Sequence, residues 1–317
     1  MIDPDRATSL IRDNLPNWGE DDLDLAHPRH GTLAMTITTD RDYPPIDRVM
    51  MDGIAVMWEE YQQGRREFII SATATPGKPP LLLQEHTAAI EVMTGAPLPV
   101  GCDLVIPYEY VTVRNSKAYI VQEKNWLPYA HAHRRGSDLT AQQSILQEGR
   151  ILQPTDWGIL ASLGYTQVRV KRLPSTLIIS TGDELIPPQQ TPQSYQLRQS
   201  NIYALRSAFL KHGYQEVDTI VLPDDYQVLK EHYQQATQNY EQLIYTGGIS
   251  KGKYDFLPAI WSEMEVTCYI HGVKQRPGKP FYFGVDHKYQ TAIFGLPGNP
   301  VSSLICLYRY VLSTTPC

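Results

Sequence analysis

The sequence predicts a multidomain protein of α/β plus β class: an α/β domain with a mostly parallel three-layer core, a compact β domain, and a mixed linker of helices and short strands. Three observations carry this expectation. From Ser175 onward, apolar strand-like runs alternate with helix-length segments, the pattern of a parallel sheet covered on both faces. From Tyr43 to about Asp138, short apolar runs are broken by Gly and Pro turns at steady spacing, with no long helical period. The 317 residues suffice for two or three such bodies.

The elements follow in order. Residues 3–15 read as a helix, with Asp3 and Asp5 in its first turn, Pro4 early, and Pro16 as its stop. A short β-like run covers 33–38. Residues 1–42 together with 139–172 form the expected linker domain, and 43–138 the β-rich domain. Within the latter, Asp52-Gly53 reads as a type I′ hairpin turn. Thr155 is the expected cap of a helix that stops at Gly164. Residues 173–317 make the α/β domain. Its strands are expected near 176–180, 217–222, 242–246, 266–270 and 291–295. Its helices are expected after Ser200 or Asn201, over 225–239, over 255–264, and from Asn299 onward.

Composition excludes several classes. A 42% hydrophobic and 20% charged chain is neither disordered nor fibrous. The net charge of -6 argues against a duplex nucleic-acid binder. No apolar run reaches the ~18 residues of a membrane span, and the first residues lack a signal-peptide core. Cys102, Cys268, Cys306 and Cys317 are scattered, which indicates neither a zinc site nor a disulfide framework. A reducing cytoplasm is the expected compartment.

Three loops carry chemistry. They are Ser180–Glu184, Thr246–Asp255 and Gly295–Pro300, each starting where a predicted strand ends. In an open parallel sheet all carboxyl ends lie on one edge, so the loops are expected to converge. Gly182, Gly247, Gly248 and Gly298 allow close backbone approach to an anion. Lys251, Lys253 and Lys279 supply positive charge; Asp183, Glu184, Asp224 or Asp225, and Asp255 supply oxygen ligands. Phosphate-binding features beside carboxylates suit a phosphate-bearing ligand with Mg²⁺. Plainer readings exist for each part. Gly247-Gly248 can be a tight turn, Asp255 a helix cap, and Asn299-Pro300 a cap followed by Pro at the first helical position. His131 and His133, two apart, would share a strand face but lack a third ligand.

Ordered motifs then add a resemblance. Tyr43-Pro44-Pro45-Ile46-Asp47-Arg48, Met51-Asp52-Gly53, Met93-Thr94-Gly95-Ala96, Gly101–Glu109, and Arg134-Arg135-Gly136-Ser137-Asp138 resemble segments of the molybdopterin molybdenumtransferases, the MoeA family related to the gephyrin E domain. So do Ser180–Leu185, Arg198–Asn201, Thr246–Asp255, Arg276–Pro280 and Leu296–Pro300, all in family order. The resemblance implies insertion of molybdenum from molybdate into adenylated molybdopterin, with release of AMP and help from Mg²⁺. It also implies an elongated homodimer in the cytoplasm and contact with the molybdopterin-adenylating enzyme. Nucleic acid and membranes are not expected partners.

By motif, Asp52, Glu184, Asp224 and Asp255 are the implied catalytic residues, the last three also holding the metal. Implied substrate contacts are Thr94, Arg135, Asp138, Gly247, Gly248, Ser250, Arg276, Lys279, Pro297, Gly298 and Pro300. Val49 and Met50 stand where relatives carry Ser-Ala, and Gly272 where some carry Lys. Relatives continue past the Leu296–Pro300 segment into a further small β domain, whereas this sequence ends at Cys317. That ending supports a second reading, a dimeric carrier of molybdopterin or molybdate without turnover. A phosphohydrolase using the same loops is a third.

Overall fold

The computed structural model describes residues 1–249 and 255–315. Ser250, Lys251, Lys253 and Cys317 lie outside the described residues. Two compact units result: residues 1–36 with 147–317, and residues 37–146.

The larger unit is built on a six-stranded sheet. Its order is Val217–Leu222, Thr176–Thr181, Gln242–Thr246, Thr291–Leu296, Tyr282–Asp286, Thr267–His271. The first four strands are mutually parallel. Their side chains alternate between two cores. Ile178, Ile244 and Phe294 point into one, against Leu205 and Phe209 of the Asn201–Lys211 helix. Leu177, Ile179, Leu243, Tyr245 and Ile293 point into the other, against Leu229 and Tyr233 of the Tyr226–Asn239 helix and Trp261 of the Leu257–Glu263 helix. Burial on both faces explains why Thr176–Thr181, Gln242–Thr246 and Thr291–Leu296 read as largely apolar runs, whereas the edge strand Val217–Leu222 is partly exposed.

Tyr282–Asp286 was not among the expected strands. It runs antiparallel to both neighbours, so its chain end reaches the sheet edge opposite to the parallel strand ends. Buried Asp286 anchors the turn there, accepting from the backbone N–H groups of Lys288 (3.0 Å) and Tyr289 (3.2 Å) and from the Tyr233 hydroxyl at 2.7 Å.

The helix ends follow local chemistry. Asp3 caps the Pro4–Asn14 helix, accepting from the Asp5 N–H at 2.9 Å. Asp225 caps Tyr226–Asn239 through the Val228 N–H. Asn299 caps Pro300–Cys306 through the Ser302 N–H, as expected, and a wider π-type turn continues it over Leu307–Leu312. The Pro154–Ser162 helix departs from expectation: Gln153, not Thr155, is its cap. Asp156 decides this. Its carboxylate, 1% exposed, accepts from the Gln153 N–H and from two nitrogens of Arg150 at 2.9 and 3.0 Å. A buried carboxylate needs such partners.

The smaller unit holds a second six-stranded sheet, ordered Leu104–Pro107, Gly53–Val56, Ala88–Val92, Glu67–Ala74, Lys117–Ile120, Val111–Arg114. Alternation again separates two clusters, with Ala55, Ile90 and Val105 on one face and Ile54, Ala89 and Ile106 on the other. The expected hairpin turn at Asp52-Gly53 is absent. Gly53 begins a central strand, pairs with Val92 and Pro107, and lacks the positive φ that a type I′ turn requires. Its glycine identity has another cause: a Cβ there would stand 2.1 Å from the Ile106 carbonyl oxygen.

That contact yields a stability prediction. Gly53→Ala should destabilise the protein by about 3 kcal/mol, at the upper end for overpacking because backbone cannot yield as a side chain can. The measurement is the urea unfolding midpoint, expected to fall at unchanged slope. A midpoint equal to the parent's would refute the close-approach account.

Candidate functional site

The site is built at the carboxyl edge of the larger unit's sheet. Thr181, Leu222, Thr246 and Leu296 end the four parallel strands within one residue of register, so their loops leave side by side. They enclose a cavity of about 270 Å³. Expected residues Glu184, Asp224, Gly247, Gly248, Gly298 and Pro300 line it. Thr181, Arg198 and Asn201, which the site expectation did not include, line it as well.

Glycine is required at the centre. Gly247 and Gly248 have φ of 99° and 65°, the left-handed region that side chains disfavour. A Cβ on Gly247 would also lie 2.9 Å from the Thr181 carbonyl oxygen, and one on Gly248 3.0 Å from the Thr181 hydroxyl. The two loops therefore meet through bare backbone. The Gly247-Gly248 turn and the Thr181 loop form one wall.

The electrostatics are acidic. Burial pushes the Asp224 carboxyl above its usual range, and the charges of Asp183, Glu184 and Asp255 push it further. The Thr181 hydroxyl works against the rise. Asp183 ties the two acidic loops together, accepting from the Asp224 N–H at 3.2 Å. Asp255 precedes the Leu257–Glu263 helix but does not cap it; Phe256 occupies that position. Three oxygens in this region, on Thr181, Asn201 and Asp224, are buried without a hydrogen-bond partner among the described residues.

Among the described residues no three acidic, His or Cys side chains close into a metal cage. The donor set is nonetheless one of hard oxygens. It fits an ion gripped by one or two carboxylates with ligand oxygens completing its shell.

Other expected residues lie elsewhere. Pro297 sits in the Leu296–Pro300 loop, where its carbonyl accepts from the Thr246 hydroxyl. Arg276 and Lys279 are exposed and do not line this cavity. Another cavity of the same unit, about 210 Å³ beside His30, includes Lys171 and Arg172, which are already paired with Glu148 and Glu241.

In the smaller unit, Asp52 and Thr94 meet directly. One Asp52 oxygen accepts from the Thr94 N–H at 2.6 Å and from its hydroxyl at 2.7 Å, which holds the carboxyl below its usual range. Arg135 is fixed by Asp42 through its guanidinium and by Asp47 through its backbone N–H. Asp138 pairs with His133 at 2.8 Å. His131 has φ of 57°, so it does not share a strand face with His133 as its spacing suggested.

The raised Asp224 carboxyl has a stability consequence. An acid whose pKa is higher folded than unfolded weakens the fold once pH exceeds the unfolded value, fully so above the folded value. Asp224→Asn should therefore raise the thermal midpoint by a few degrees at pH 7.5. The gain should shrink as pH falls through the folded pKa and both forms become neutral. Thermal scans across pH test this, and an equal or lower midpoint at pH 7.5 would contradict it.

Comparison with known proteins identifies the family. Residues 2–164 match the MoeA N-terminal region (domain I and II), and residues 177–315 match the probable molybdopterin binding domain. The chain is 48% identical over 316 residues to the molybdopterin molybdenumtransferase of Synechocystis sp., covering 100% of this chain and 81% of that protein. It is 31% identical to the Haemophilus influenzae protein of the same name, covering 98% of this chain and 76% of the relative. The solved structure of the molybdopterin biosynthesis MoeA protein from Pyrococcus horikosii superposes with a TM-score of 0.82 at 25% identity, covering 99% of this chain and 80% of that one. The chain belongs to the molybdopterin molybdenumtransferase family.

Proposed function

We propose that this protein inserts molybdenum from molybdate into adenylated molybdopterin, releasing AMP. The single observation that supports this most is the cavity at the carboxyl edge. It joins a glycine-walled cradle to an acidic cluster inside the segment that matches a molybdopterin-binding family.

The residues divide the work. The bare backbone at Gly247, Gly248 and Gly298 lets a large planar ligand approach the sheet edge. Arg198, in the cavity lining, supplies positive charge for phosphate, and the exposed Arg276 and Lys279 of the same unit add to it. Asp52, fixed through one oxygen by Thr94, keeps its other oxygen available to orient water or molybdate. Arg135 and Asp138 act with it from the smaller unit. Of Glu184, Asp224 and Asp255, one or two carboxylates would grip Mg²⁺ while ligand oxygens complete its shell, and the ion would neutralise charge on the phosphoanhydride. Dithiolene sulfurs of the substrate, not protein cysteines, receive the molybdenum. Buried Cys102 and Cys306 fit that division, because burial pushes both thiols up to about 12.

The proposal extends to a homodimer working in the cytoplasm, which takes its substrate from the molybdopterin-adenylating enzyme. No helix among the described residues is long and apolar enough to cross a membrane. The expected linker domain, 1–42 with 139–172, belongs to the same proposal.

The test is AMP release from adenylated molybdopterin, with molybdate and Mg²⁺. The parent chain should release AMP in a molybdate-dependent manner. Asp52→Ala should retain the thermal midpoint and substrate binding but lose at least about 100-fold in rate, the scale for removing one acid–base group. A parent chain that binds substrate and releases no AMP would overturn the transferase reading.

A further inference from the structure

Asn201 joins three parts of the fold that are far apart in sequence. It is the first residue of the Asn201–Lys211 helix. Its amide nitrogen donates to the Thr246 hydroxyl oxygen at 2.8 Å and to the Gly298 carbonyl oxygen at 2.8 Å. The Thr246 hydroxyl passes its own hydrogen to the Pro297 carbonyl at 3.3 Å. A carbonyl can only accept, so the Gly298 contact fixes which end of the carboxamide faces the loops.

Both amide hydrogens are thereby used. The amide oxygen of Asn201 is buried and has no partner among the described residues. Asn201 lines the cavity, as does Thr181, whose hydroxyl oxygen is equally unpartnered. A folded protein rarely leaves a buried acceptor unmet unless something else completes it. Capping does not explain the residue either, because Ser200 holds the cap position.

We infer that Asn201 reads the substrate's ring: its amide oxygen accepts a hydrogen bond from the exocyclic amino group of an amino-pyrimidinone, the edge that a pterin presents. Its amide nitrogen meanwhile sets the pocket, holding the Thr246 and Pro297-Gly298 loops together. The inference rests on the proposed function in one respect, that this cavity holds the pterin end of the substrate. It adds the residue that distinguishes a 2-amino ring from its 2-oxo counterpart. An acceptor committed by two opposing donors cannot reverse to serve a carbonyl. Such a site therefore rejects the oxo ring by leaving two acceptors face to face.

The two roles are separable. Thr246→Val removes one arm of the clamp and leaves the acceptor. Asn201→Ala removes both. The probes are 6-carboxypterin and 6-carboxylumazine, in which a carbonyl replaces the 2-amino group, titrated into the full chain by calorimetry. The parent should prefer the pterin by about 10-fold or more, the worth of one good hydrogen bond against an unmet pair. Asn201→Ala should reduce that preference to about 2-fold or less. Thr246→Val should weaken both ligands while the preference survives.

A parent without preference overturns the inference, as does an Asn201→Ala chain that keeps it. Loss of preference in Thr246→Val also overturns it, because pocket shape would then be the discriminator. The transferase reading fails separately: a parent that prefers the pterin but releases no AMP from the adenylated substrate would refute that reading alone.

Discussion

Three parallel strands buried on both faces, Thr176–Thr181, Gln242–Thr246 and Thr291–Leu296, are the constraint from which the site follows. Because Ile178, Ile244 and Phe294 fill one core while Ile179, Tyr245 and Ile293 fill the other, the strands cannot slip by one residue without exchanging the two cores. Register is therefore tightly held. Thr181, Leu222, Thr246 and Leu296 end within one residue of one another, and the chemistry of the larger unit begins there. The acidic cluster is tolerated because this rigid edge holds it. Asp224 is disfavoured as an anion where it stands, yet the edge strand before it is held to Thr176–Thr181 and fixes its place.

The smaller unit solves a related problem with different means. Its central strand begins at Gly53, packed against the Ile106 carbonyl with no room for a side chain. The Asp52 carboxylate, one residue earlier, thus projects from a backbone that cannot shift. Thr94, just beyond the neighbouring Ala88–Val92 strand, then pins one of its oxygens. In both units a glycine forced by close approach stands beside an acid whose position matters. Close packing of backbone, not hydrogen bonding alone, gives these carboxylates their placement.

Much of this was legible in the sequence, and the exceptions have physical causes. Apolar runs such as Thr176–Thr181 and Gln242–Thr246 advertise fully buried strands. The loops after them announce a ligand edge by glycine and acid content. Tyr282–Asp286 was missed because Gly284 and the preceding Pro280 read as loop. That glycine is present because a Cβ would meet the Thr267 carbonyl of the adjoining strand at 3.0 Å. Gln153 displaced Thr155 as a cap because Arg150 draws Asp156 inward, a pairing that local propensity does not contain. Asn201 was read as a cap candidate and not as a site residue. Its partners lie 45 and 97 residues away, and only the closed fold brings them to its amide.

The reversed strand has a practical use. Tyr282–Asp286 is the one member of its sheet whose chain runs against the others, so the tight turn of Lys288, Tyr289 and Gln290 emerges on the side remote from the ligand edge. Asp286 grips that turn by its backbone alone, which leaves the side chains of exposed Lys288 and Tyr289 without a structural duty to Asp286. A dye, biotin or surface tether attached there would report on the protein or immobilise it while the opposite edge stays open to small molecules.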